Sequence, residues 1–104
     1  MQRLCVAFYL KRNTVHALQT EAARLDVSLS WIAQAALKLA PTATPAGGAV
    51  LPIDGERTKL SLYLPLELWA ELSQTADAED RSMSTILQRA LAAAWPAITA
   101  MPHR

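Results

Sequence analysis

Ser28 and Ser30 stand just ahead of an apolar, helix-periodic run, and Ser82 and Ser84 do the same 54 residues later. A serine there can accept a hydrogen bond from a first-turn N–H. The remaining free N–H groups and the positive end of the helix dipole make the same spot attractive to anions. A second set of groups alternates. In the run from Thr58 to Leu64, Leu60, Leu62 and Leu64 fall on one side and Lys59, Ser61 and Tyr63 on the other, setting an ammonium, a hydroxyl and a phenol in a row of donors. Other chemistry is sparse. His16 and His103 have no companions at ligand spacing, and no metal or cofactor is expected. No histidine, cysteine and carboxylate arrangement and no Gly-rich phosphate loop is present, so the chain is not read as an enzyme. The acidic run Asp77, Glu79 and Asp80 reads as a solvated helix end.

The elements that must position these groups are written twice. Ser28–Leu37 and Ser82–Leu91 both read S-x-S-x-I-x-Q-x-A-L, and at the same spacing Tyr9-Leu10 falls on Tyr63-Leu64, Leu18 on Leu72, Ala22 on Ala76 and Asp26 on Asp80. Two copies are too few for a solenoid, and such a chain is better read as a dimer fused into one polypeptide. Residues 3–10 are short, apolar and rich in strand-forming types, which predicts a strand whose buried face is Leu4, Val6, Phe8 and Leu10. Asn13 or Thr14 can cap a helix over about 14–25, and Ser28 one over about 29–40 with Ile32, Ala36, Leu37 and Ala40 as its stripe. Pro41 ends it.

Residues 41–56 hold three prolines and three glycines and read as a linker. Val50, Leu51 and Ile53 suggest that part of it lies on the body, and fully extended it spans about 50 Å. The cycle then restarts. A strand leads to Pro65 at a helix's first position, Leu68, Trp69, Leu72 and Ala76 face inward, and Ser82 caps a last helix closed by Trp95-Pro96. Trp31, Trp69 and Trp95 read as core or interface residues. The expected organisation is a first repeat at 3–40, a linker at 41–56, a second repeat at 57–95 and a short tail at 96–104, the repeats forming one pseudo-dimeric domain. The class expected is mainly α with a short two-stranded antiparallel β-ribbon. A lone strand cannot satisfy its own backbone, so the two pair and the four helices pack beneath them.

A chain of 104 residues can bury roughly 65% of its unfolded surface. A net charge of +1 says little about partners; nucleic-acid binding would need clustered cations. Cys5 is alone, which fits a reducing cytoplasm. The run Leu4–Leu10 is at the short limit for a signal segment, is followed at once by Lys11-Arg12, and lacks a cleavage pattern. No run approaches a membrane span.

The strand–helix–helix order, with S-x-S-x-I-x-x-x-A-L opening the second helix and Lys59–Pro65 leading into the first, resembles the ribbon-helix-helix DNA-binding proteins, among them the Arc and MetJ repressors and the plasmid copy-number repressors. The resemblance covers nearly the whole chain, in two copies. It implies a β-ribbon in the major groove of double-stranded DNA, with a role as transcriptional repressor or as accessory factor of plasmid DNA transfer. It places base contacts on Lys59, Ser61 and Tyr63, with Arg3 and Tyr9 from the first copy, and phosphate contacts on Ser28, Ser30, Ser82, Ser84, Arg57 and Arg81. Further copies of the chain on adjacent sites, or a protein, are the other partners considered; a membrane and a small-molecule substrate are not. The first strand departs from the pattern. At the equivalents of Lys59 and Ser61 it has Cys5 and Ala7, which donate nothing useful to a base edge. This predicts lopsided readout. It also leaves an alternative, a protein-interaction module of antitoxin or adaptor type that docks through an apolar first-strand face.

Overall fold

The computed structural model describes residues 3–39 and 50–102. The elements run β1 (Arg3–Lys11), α1 (Arg12–Leu25), α2 (Leu29–Leu39), β2 (Arg57–Pro65), α3 (Leu66–Glu79) and α4 (Met83–Thr99). Ala40 and the first part of the expected linker, residues 41–49, lie outside the described residues, as do His103 and Arg104. The order is the tandem β-α-α expected. The class is corrected: the ribbon is not a short adjunct to a mainly α chain. Each strand is nine residues long, all nine are paired, and the sheet forms one whole face of the core, so the fold mixes α and β. Cross-strand pairing carries both strands through Lys11 and Pro65, residues whose composition alone argues against a strand.

The strands pair antiparallel from Arg3 opposite Pro65 to Lys11 opposite Arg57. Ala7 pairs with Ser61, its own repeat-equivalent, so the pseudo-twofold axis passes between them. The symmetry extends to detail. Both strands share one alternating burial pattern, and Asp26 and Asp80 end α1 and α3 in left-handed conformation at φ 56° and 53°. Such a residue closes a helix and turns the chain toward the next N-cap.

Beneath the ribbon, Phe8, Leu10, Leu62 and Leu64 are fully buried against Leu18, Ile32, Leu87 and Leu91, and α2 packs chiefly on α4. The result is nearly isometric, 32 × 29 × 28 Å. Trp95 is buried in this core and Trp69 half-buried, but Trp31 is exposed and lines a small cleft with Leu25, Val27 and Met101.

Three local expectations are replaced. α1 begins at Arg12 with no side-chain cap; neither Asn13 nor Thr14 caps it. The segment before β2 serves instead. Carbonyls of Glu56 and Asp54 accept from the N–H groups of Arg12 (2.7 Å) and Asn13 (3.1 Å), and the buried Thr14 hydroxyl donates to the Pro52 carbonyl. Gly55, at φ +100°, lets this segment approach, and a Cβ there would lie 3.0 Å from that of Arg12. Among the described residues of the linker, Leu51 is buried while Val50 and Ile53 are exposed. Pro65 is the N-cap of α3 rather than its first helical residue.

Finally, α4 does not close at Trp95-Pro96 but continues to Thr99. An interior proline costs about 3 kcal/mol in isolation. The offset is visible here: Ile98 is fully buried, and the Arg24 guanidinium donates to the carbonyls of Met101 (2.6 Å), Ile98 (3.1 Å) and Thr99 (3.3 Å) while paired with Glu21 at 2.9 Å. A cation at a helix C-terminus is favoured by the dipole as well.

Candidate functional site

A strand's side chains alternate between faces, and one face of this ribbon is taken by the core. The other carries five cross-strand rungs: Arg3 with Pro65, Cys5 with Tyr63, Ala7 with Ser61, Tyr9 with Lys59, and Lys11 with Arg57. The two rows that differ so much along the chain are thus interleaved. Cys5 and Ala7 do not form an apolar stripe of their own, because each lies opposite a polar residue of β2. The lopsidedness belongs to the ends of the ribbon rather than to its strands. One end holds Lys59, Lys11 and Arg57; the other holds Arg3 alone. The face as a whole has four cations and no carboxylate. None of these cations is in an ion pair among the described residues. Segregation of charge explains how a chain of net charge +1 presents a basic face.

A two-stranded sheet has two open edges, whose N–H groups need partners. Here the second serine of each repeated motif supplies one, and does so for the other copy. The Ser84 hydroxyl accepts from the Tyr9 N–H and the Ser30 hydroxyl from the Tyr63 N–H, both at 2.9 Å. The Gln34 amide donates to the Tyr63 carbonyl at 2.9 Å. The first serines cap: Ser28 Oγ accepts from Trp31 N–H at 3.0 Å and Ser82 Oγ from Thr85 N–H at 3.1 Å. All four serines are therefore engaged as acceptors. The Ser82 and Thr85 hydroxyls share a 2.9 Å hydrogen bond that uses one of their two protons; the other, the hydroxyl protons of Ser28, Ser30 and Ser84, and the first-turn N–H groups that no cap reaches are what an anion could use.

The two helix N-termini flank the ribbon on opposite edges, at Tyr63 and Tyr9. Those two residues are 53% and 49% exposed. Arg57 and Arg81 are exposed, Arg57 on the outermost rung and Arg81 just before the Ser82 cap. The arrangement thus joins Arg3, Tyr9, Lys59, Ser61, Tyr63 and Arg57 on one face, with Ser28, Ser30, Ser82, Ser84 and Arg81 along its flanks.

Lys11 belongs to the face and is missed by the sequence reading, although the odd-numbered row from Arg3 to Tyr9 predicts it once the strand is extended by one residue. Glu79 holds Arg89 by two parallel bonds of 2.6 Å. Its carboxyl is pulled below the usual carboxylate range, first by that hydrogen bonding and then by the charges of Arg89 and Arg81. Among the described residues no cluster of three or more His, Cys, Asp or Glu is placed to hold a metal ion, and no helix is long and apolar enough to cross a membrane. No protein-family model matches the chain, and no curated protein or solved structure is a match to it.

Proposed function

We propose that the chain is a sequence-specific double-stranded DNA-binding protein of ribbon-helix-helix type, in which one polypeptide supplies both strands of the ribbon. The observation that carries this reading is the outward face: Arg3, Lys11, Arg57 and Lys59 with Tyr9, Ser61 and Tyr63, no carboxylate, and a helix N-terminus locked to each edge. A two-stranded ribbon fits the major groove, where Lys59 donates to guanine O6 or N7, Ser61 serves either partner of a pair, and Cys5 and Ala7 contact thymine methyls. The helix N-termini then meet phosphates on the two sides of the groove and set the register without reading sequence. The role is that of a repressor or of an accessory factor in plasmid DNA transfer, in the cytoplasm.

The test is selection from a random duplex pool, followed by binding of the recovered duplex over a range of salt. A recovered motif and a negative log–log salt slope are expected, about −0.9 for each phosphate neutralised. Failure to retain any duplex, together with capture of a protein by the same face, would favour the docking alternative.

A further inference from the structure

The pseudo-twofold allows each flank of the ribbon to be compared with its own counterpart. Beside the Lys11–Arg57 rung lies a cleft of about 380 Å³ walled by Thr85, Gln88, Arg89 and Ala92 of α4 and by Ile53. Moved by the repeat spacing, Lys11 becomes Pro65, Thr85 becomes Trp31, Arg89 becomes Ala35 and Arg81 becomes Val27. Arg57 and Gln88 become Arg3 and Gln34, and Gln34 has its amide committed to the Tyr63 carbonyl. On the α2 flank Lys11, Arg81 and Arg89 and the Thr85 hydroxyl are therefore replaced by apolar groups, Arg3 keeps the charge of Arg57, and Lys38 stands where the α4 flank has Ala92.

The α4 cleft also has a local electrostatic tension. Lys11 and Arg57 face each other across the ribbon, and like charges in that position repel. Arg89 is already matched by Glu79 at 2.6 Å. Asp54 and Glu56, which shortly precede Arg57 in sequence, form no ion pair with Lys11 or Arg57; the backbone carbonyls of both are turned to the start of α1. An anion in the cleft would relieve the repulsion, with the Gln88 amide as a neutral donor and the Thr85 hydroxyl as a second when Ser82 donates the 2.9 Å hydrogen bond between their hydroxyls.

We propose that Lys11, Arg57, Thr85 and Gln88 form a phosphodiester-binding pocket on the α4 flank alone, which clamps one side of the DNA groove and sets the chain on its site in a single orientation. This rests on the DNA-binding reading above. A homodimer would carry such a pocket twice or not at all; fusion into one chain lets one flank hold it and the other lose it. The pocket lies next to the Lys59–Tyr9 rung, so the clamped backbone is that of the half-site which Lys59 reads.

The experiment is phosphate-ethylation interference on a duplex recovered from the random pool, with the wild type and the double variant K11Q/R57Q, and R3Q as the control from the opposite end. Melting by circular dichroism establishes that the variants are folded. The wild type should show an additional interfering phosphate beside one half-site only. K11Q/R57Q should abolish it, weaken binding by a similar factor on every duplex, and reduce the magnitude of the log–log salt slope by about 0.9. R3Q should leave that phosphate in place. Equal interference on both flanks, or an unchanged pattern and slope in folded K11Q/R57Q, overturns the pocket while DNA binding stands. A wild type that binds no duplex overturns both.

Discussion

Replacing Ser84 and Ser30 by alanine isolates the hydrogen bonds that tie each helix to the other copy's strand. Each substitution removes an acceptor 2.9 Å from an edge amide, that of Tyr9 for Ser84 and that of Tyr63 for Ser30. Both bonds lie near solvent, so water replaces the lost acceptor. The cost is then the net worth of one hydrogen bond, about 1 kcal/mol, rather than the larger penalty of a buried orphan donor. The two bonds sit on opposite edges and share no partner, so their costs should add to about 2 kcal/mol in the double variant. Unfolding entropy near 2.1 cal/mol/K per residue gives about 0.2 kcal/mol/K for 104 residues. Each single variant should therefore lower Tm by about 4–5 °C, and the double by about 9 °C. Thermal melting tests the magnitude, and amide hydrogen exchange tests the assignment. Ser84→Ala should deprotect Tyr9 and spare Tyr63, and Ser30→Ala should do the reverse. Deprotection of the tyrosine in the serine's own copy, or no change at either amide, would refute the crossed arrangement.

Ile98→Ala should cost 2–5 kcal/mol in urea unfolding, because the helix continues through Pro96 and buries that side chain fully; a loss under 0.5 kcal/mol would return residues 96–99 to an unpacked tail. The Glu79 carboxyl has a folded pKa below its ordinary value, so its link to Arg89 contributes stability that is present above about pH 4.5 and lost as pH falls through the lower folded value. Carbon-13 titration of the carboxyls should place Glu79 lowered in the wild type and returned toward normal in Arg89→Ala. One chain supplies both strands, so light scattering at low micromolar concentration should give the mass of a single folded chain, 11.3 kDa; a dimer that unfolds on dilution would show pairing between chains.

Much of this molecule is legible because the sequence states it twice. The repeated S-x-S motif, the strand placed at a fixed distance ahead of it and the alternating Leu60, Leu62 and Leu64 are local signals, and they lead directly to element order and to the two helix N-termini. What is not legible depends on contacts far apart in sequence. Nothing local indicates that Ser84 serves Tyr9, or that the carbonyls of Asp54 and Glu56 stand in for an N-cap on α1. The register has the same character. Read along the chain, Cys5 and Ala7 look like one apolar row; only pairing shows them opposite Tyr63 and Ser61 and moves the asymmetry from strands to ends. Pro96 misleads because propensity prices the proline alone, whereas burial of Ile98 and the Arg24 bonds act on the turn beyond it.

Whether the outward ribbon face reads bases is decided by a point-mutant scan of the selected duplex against the wild type and Lys59→Ala. Lys59 stands on the rung it shares with Tyr9, next to the basic end, and is free of ion pairs among the described residues. Lys59→Ala should lose about 1–3 kcal/mol of discrimination at one base position, in the half-site on the α4 side, while positions in the other half keep their preferences. A uniform loss at all positions would make Lys59 a backbone contact. An unchanged profile for Lys59→Ala, and also for Ser61→Ala and Tyr63→Phe, would contradict base reading and remove the ribbon from recognition.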